Sequence, residues 1–200
     1  MNLLKAFFSV TIFVLVFYSC DSKKSQAEKA RELNLQGIEI LQESPQKALL
    51  KFLEAAELSK KVGDYTANAG IAFMALGRNE EALNMFEETL NIDPKYLQAY
   101  YNKGVILESL GNHTKAIESY EEALQITQNS PEIVYNLALA YEKSGQKKEA
   151  IENYSRFIQI ASSSMEPAIM EAKSRIKALK GGKVDSAKEK RNKSKKKKKK

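Results

Sequence analysis

Between Gly63 and Ser164 the chain repeats itself with a period of 34 residues. When Gly63–Tyr96, Leu97–Ser130 and Pro131–Ser164 are aligned, residue types fall into columns. Gly77, Gly111 and Gly145 form one, and Ala82, Ala116 and Ala150 a second. Phe86, Tyr120 and Tyr154 form a third, and Asn68, Asn102 and Asn136 a fourth. A fixed period of this length requires one supersecondary unit stacked on copies of itself. A single unit cannot bury its apolar side alone, so the block must fold as an array. The chain of 200 residues has no Trp, four Pro and nine Gly, which favours long helices over a loop-rich fold.

The apolar spacing predicts two helices per unit. The first helices run approximately over 64–76, 97–110 and 131–144, and the second over 80–91, 114–127 and 147–161. The Gly column ends each first helix, because Gly takes the left-handed conformation at little cost. Tight turns follow at Gly77-Arg78-Asn79 and Gly111-Asn112-His113, and Asp93-Pro94 breaks the chain after one second helix.

These columns resemble the tetratricopeptide repeat, whose pattern runs from a large residue through Leu-Gly and an aromatic to Ala-x3-Phe/Tyr and Pro. Ala82-x3-Phe86, Ala116-x3-Tyr120 and Ala150-x3-Tyr154 match it. Gly70, Gly104 and Ala138 take the first-helix Gly position, and Phe73, Leu107 and Tyr141 the later large position. Thr66 and Val134 depart from the large first residue that Tyr100 keeps, and Pro94 occurs in one unit only. The resemblance implies an all-α fold, a right-handed α-solenoid of helix-turn-helix units with a C-terminal capping helix. It also implies a concave groove lined by the first helices, which takes extended segments of partner proteins.

Residues 25–62 read as a degenerate first unit, with helices over 25–42 and 45–60 separated by Ser44-Pro45. Ala48 and Phe52 fill the Ala and aromatic columns. Gly37 joins the Gly70 column only if the loop after it is one residue shorter, so Asn34 falls in the Asn column or one place before it. Residues 165–180 read as an amphipathic cap where a fifth unit would start, ended by Gly181-Gly182.

The N-terminus carries an address. Lys5 precedes the apolar run Ala6–Tyr18, too short to span a bilayer but right for a signal-peptide core. Ser19 and the single Cys, Cys20, follow directly. This resembles a bacterial lipobox, relaxed as in spirochaetes because Phe17 and Tyr18 are bulky. The resemblance implies a signal peptide over 1–19, lipidation of Cys20, a tether over 20–24, and a protein lipid-anchored in the bacterial cell envelope at the periplasmic face or outer membrane. Several acyl chains would give stable anchoring where one would not.

Net charge is +7, but residues 181–200 hold a surplus of nine positive charges and the block 63–164 a deficit of six. The Lys-rich tail cannot repay its ordering entropy and is expected to be disordered. It offers electrostatic attraction to anionic lipid or acidic envelope polymer. Nucleic acid is not expected as a partner, since the tail has no aromatic residue to stack on bases.

No catalytic constellation appears, and neither a metal site nor a cofactor motif. Cys20 and His113 are far apart, and His113 reads as an exposed turn residue. The expected function is therefore a protein-interaction scaffold rather than an enzyme; an assembly or pilotin-like component of an envelope secretion or outer-membrane biogenesis complex is the alternative. By the family resemblance, Asn68, Asn102 and Asn136 face the groove, with Tyr101 and Tyr135 beside them. An Asn amide both donates and accepts, which suits a peptide backbone. Asp64, Glu108, Glu132 and Glu142 make the groove acidic, with few cations expected near them, so a neutral or basic segment is expected rather than one gripped by its terminal carboxylate.

Overall fold

The computed structural model describes residues 25–181, all of whose regular structure is helical. The expected signal peptide over 1–19, the expected lipidation site and tether over 20–24, and residues 182–200 of the tail lie outside the described residues. Helix α1 covers 25–40. It is followed by α2 (Pro45–Leu58), α3 (Gly63–Ala75), α4 (Asn79–Ile92) and α5 (Leu97–Ser109). Then come α6 (His113–Ile126), α7 (Pro131–Lys143), α8 (Lys147–Ile160), a 3-10 turn at Ser163–Met165, and α9 (Glu166–Leu179). Two compact units form, one ending at Ile106 and one beginning at Leu107, so the division falls within α5.

The helix limits follow from the Gly column. Gly77, Gly111 and Gly145 have φ of 72°, 76° and 83°. At the first turn Gly77 N–H donates to the Met74 carbonyl at 2.9 Å and Arg78 N–H to the Phe73 carbonyl at 2.9 Å. These bonds satisfy carbonyls that the helix end leaves open. The Arg78 carbonyl then accepts from Ala82 N–H at 3.0 Å, the first bond of α4. Asn112 and Gln146 repeat both roles. One residue thus closes one helix and opens the next, which moves each first helix to an end one residue earlier than the spacing suggests. It also corrects the reading of His113, which is the first residue of α6 rather than a turn residue.

In the first unit the buried Phe52 and Phe86 rings fix the register. A Cβ on Gly70 would lie 2.8 Å from Phe86, and one on Gly37 2.5 Å from Phe52. Gly37 therefore corresponds to Gly70, the loop is one residue shorter, and Asn34 stands one place before the Asn column. Leu35 occupies that column instead. Ser44 precedes α2 without a side-chain cap bond, and Pro45 starts the helix. Ala48, Phe52, Ala69, Ala72, Phe73, Ala82 and Phe86 make one buried cluster of this unit. Where the family pattern has a large residue, Thr66 is buried and meets Thr89, hydroxyl to hydroxyl, at 2.8 Å.

In the second unit Val134, Ala138, Ala150, Tyr154, Phe157, Ile169 and Ala172 form the core. Helix α9 packs on α8, and its sequence departs from that of the first helices before it. One period beyond Leu137 and Tyr141 stand Glu171 and Arg175, charged residues that a further helix would have to desolvate. Gly181, with φ 83°, follows the end of α9.

Candidate functional site

Helices α3 and α7 each leave one stripe accessible. On α3 it is Asp64, Asn68, Ile71 and Ala75; on α7 it is Glu132, Asn136, Leu139 and Lys143. Steps of four, three and four residues keep such positions on one helix face. Asn68 and Asn136 lie in this stripe, whereas the equivalent Asn102 of α5 is buried, which corrects the expectation that all three face the groove alike.

In the first unit Asn68 Nδ2 donates to Asn34 Oδ1 at 2.8 Å. The amide of Asn102 is buried and accepts from Gln98 Nε2 at 3.3 Å. Tyr101 is half-buried. Asp64 accepts from the Tyr96 hydroxyl at 2.8 Å. Burial, reinforced by Asp64, raises the Tyr96 phenol well above its ordinary range. Lys103 pairs with Glu87 at 3.4 Å.

In the second unit Asn136 is half-buried. The Tyr135 ring packs edge-on against Tyr154 and Phe157, with centroids 5.7 and 5.1 Å away. It therefore contributes to the core as well as bordering the stripe. Burial and Glu171 raise its phenol, and Arg175 opposes them.

The acidic residues have partners that the sequence did not reveal. Glu108 Oε1 meets Lys143 Nζ at 2.5 Å, and Glu108 Oε2 meets His113 Nδ1 at 2.9 Å. Burial pushes the Glu108 carboxyl up, but Lys143 and His113 more than reverse this and hold it below its ordinary value. Glu142 accepts from the Tyr154 hydroxyl at 2.7 Å and pairs with Arg175 at 3.1 Å. Arg175 also grips Glu171 through Nε at 3.1 Å and Nη2 at 2.9 Å. The expectation that Glu108 and Glu142 lack nearby cations is thus corrected: both are neutralised within the unit. Partners 33 residues apart, such as Arg175 and Glu142, are invisible to local spacing.

A separate open cleft of about 400 Å³ lies among α6, α7 and α8, with Leu124 and Leu137 as apolar lining and Glu121, Gln125, Tyr141, Asn153 and Arg156 around them. Its polar groups are internally engaged, since Tyr141 donates to Glu121 and Arg156 to the Gln128 carbonyl. No motif in the sequence marks it. Among the described residues no group of three His, Cys, Asp or Glu could hold a metal ion. Among them, too, no helix is long and apolar enough to cross a membrane.

Family models described as TPR repeat match residues 70–111 and 106–145, and one described as tetratricopeptide repeat matches 131–164. No curated protein matches the chain. Among solved structures it is similar to the MamA protein, at 23% identity and a TM-score of 0.62, over 68% of this chain and 75% of that one. It is similar to MamA (41-end) from Desulfovibrio magneticus RS-1, at 21% identity and a TM-score of 0.64, over 76% and 94% of the two chains. It is also similar to the first TPR of Spaghetti (RPAP3) bound to the HSP90 peptide SRMEEVD, at 18% identity and a TM-score of 0.58, over 60% and 95%.

Proposed function

Because the chain belongs to the tetratricopeptide-repeat family, we propose that it is a non-enzymatic, membrane-anchored scaffold that binds an extended segment of a partner protein along its first helices. The observation that carries this reading is the accessible stripe on those helices, with an Asn at its centre in α3 and α7. An amide there reads peptide backbone without demanding a particular sequence. The peptide in the Spaghetti (RPAP3) complex supports the ligand class for a related fold. That peptide ends in acidic residues, whereas Lys143 of this chain is already paired with Glu108. An uncharged or basic segment suits the stripe better.

The anchor is the lipidated Cys20, behind a cleaved signal peptide, which places the scaffold in the bacterial cell envelope. The Lys-rich tail adds attraction to anionic lipid or envelope polymer.

Photo-crosslinking tests the interaction surface. A photoreactive residue at Asn68 or Asn136 is expected to capture a partner segment, and one at the exposed Glu88 or Glu122 of the second helices is not. Equal capture from both faces would refute the assignment. Labelled palmitate tests the anchor: incorporation is expected in the natural chain and not in Cys20→Ser, and incorporation that persists in the variant would rule out this attachment point.

A further inference from the structure

The outer side of α1 is polar, yet the same helix leaves large apolar side chains exposed. In the register that matches Gly37 with Gly70, the counterparts of Tyr65, Ala69 and Ala72 on the α2-facing side of α3 are Glu32, Gln36 and Glu39; Gln36 donates to Glu32 at 3.1 Å and accepts from Lys51 of α2 at 2.7 Å. Leu35, by contrast, is exposed by 56% and Ile38 by 49%. Shielding from water would favour burying either one, so their exposure side by side calls for a reason.

The corrected register supplies it. Gly37 matches Gly70, so Leu35 corresponds to Asn68 and Ile38 to the half-buried Ile71. The exposed pair therefore lies on the partner-facing stripe and not on an end of the array. The 2.8 Å bond from Asn68 to Asn34 holds α1 beside α3 at this point. That bond uses one amide hydrogen of Asn68 and the oxygen of Asn34. It leaves the Asn68 oxygen as an acceptor and the Asn34 NH2 as a donor, next to the apolar pair. One residue of an extended chain presents an N–H and a C=O together with a side chain, and this surface offers the complement of all three.

We infer that Leu35, Ile38 and Ile71 form an apolar anchor subsite for one large aliphatic or aromatic side chain of an extended partner segment, whose backbone is held by Asn34 and Asn68. The inference rests on the interaction reading above and deepens it. The Asn column reads backbone at any sequence, whereas this subsite selects a residue type. It belongs to the first unit, because the one-residue-shorter loop puts Leu where later units have Asn.

Display of random twelve-residue peptides on the full chain tests this, with fluorescence polarisation of the selected peptides as the affinity measurement. Peptides enriched on the natural chain are expected to share one Leu, Ile, Phe or Met position. Replacing that residue by Ser, or using Leu35→Ser/Ile38→Ser, is expected to weaken binding roughly ten-fold. Asn68→Ala is expected to weaken the peptides whether or not they carry the apolar residue. Circular dichroism should show unchanged helicity for Leu35→Ser/Ile38→Ser, whose substituted side chains are exposed. Binding that survives Leu35→Ser/Ile38→Ser but falls with Asn68→Ala overturns the subsite and leaves the interaction surface standing. Failure of every peptide to bind, or indifference to Asn68→Ala, overturns both. If sedimentation shows a dimer that Leu35→Ser/Ile38→Ser dissociates, the occupant is a second copy and the peptide assignment is wrong.

Discussion

Two glycines in one helix-turn-helix unit are needed for different physical reasons. Gly77 has φ 72° and open space around it, so an added Cβ meets no neighbour and suffers only backbone strain. Gly70 is helical, and an added Cβ would lie 2.8 Å from the fully buried Phe86 ring. Gly77→Ala is expected to cost about 1–2 kcal/mol from the left-handed conformation alone. Gly70→Ala should cost about 1 kcal/mol net, because overpacking exceeds the gain in helix propensity. Thermal unfolding of the two variants checks both. Shortening Phe86 to Leu should relieve the second and leave the first unchanged. The Gly77 column was legible in the sequence because a positive φ selects glycine at a fixed interval. The position of Asn34 was not, since counting residues cannot separate a shortened loop from a shifted column. Only the meeting of Gly37 with Phe52 decides it.

Tyrosines show the same limit. Tyr96, Tyr141 and Tyr154 donate to Asp64, Glu121 and Glu142, and burial together with these carboxylates raises all three phenols. A raised folded value favours the neutral form. Their contribution to stability is therefore complete below the ordinary phenol value of about 10 and is lost as pH rises through the higher folded values. In an alkaline titration followed by phenolate absorbance, these three of the nine tyrosines are expected to ionise only as the fold is lost. Smooth titration of all nine near the ordinary value, with helicity intact, would contradict this.

At the scale of the element, α9 is held by charge as well as by apolar contact. Ile169 and Ala172 enter the second-unit core, while Arg175 bonds Glu142 of α7 and Glu171 of its own helix. Glu142 also accepts from Tyr154 of α8, so one carboxylate ties three helices together. Arg175→Met keeps the bulk of the side chain but removes these charge-assisted bonds and leaves a partly buried carboxylate without its cation. The expected cost is about 2 kcal/mol. Hydrogen exchange should speed up in α9 while α3 keeps its protection. Equal acceleration throughout, or none, would show that apolar packing alone secures the cap. The existence and type of this helix could be read from its amphipathic spacing. Its tie to α7 could not, because the pairing spans 33 residues.

At the scale of the whole molecule, charge is divided by position along the chain. The block 63–164 is acidic, and residues 181–200 carry eleven Lys and Arg. Deleting 183–200 is expected to abolish most binding to vesicles of anionic phospholipid at low salt, in chains carrying Cys20→Ser so that no acyl chain contributes. Binding by the longer chain should fade as salt shortens the screening length to about 10 Å at 0.1 M. Vesicle binding that ignores both the deletion and the salt would exclude an electrostatic role for the tail. The helical array itself was largely legible because its period is a property of the whole block, which single-residue departures such as Thr66 do not disturb.

The doubly used turn residues set a rule for how such a chain can change. Arg78 completes the closure of α3 and supplies the first carbonyl of α4, so this junction has no slack. One extra residue there would forfeit either the closure or the opening. A turn of another length must rebuild both halves of the junction, as the shorter turn at Ser44 does, whereas whole modules can be copied or deleted unchanged, because each brings both halves with it. Anyone wishing to lengthen this protein should duplicate a 34-residue module rather than extend a turn.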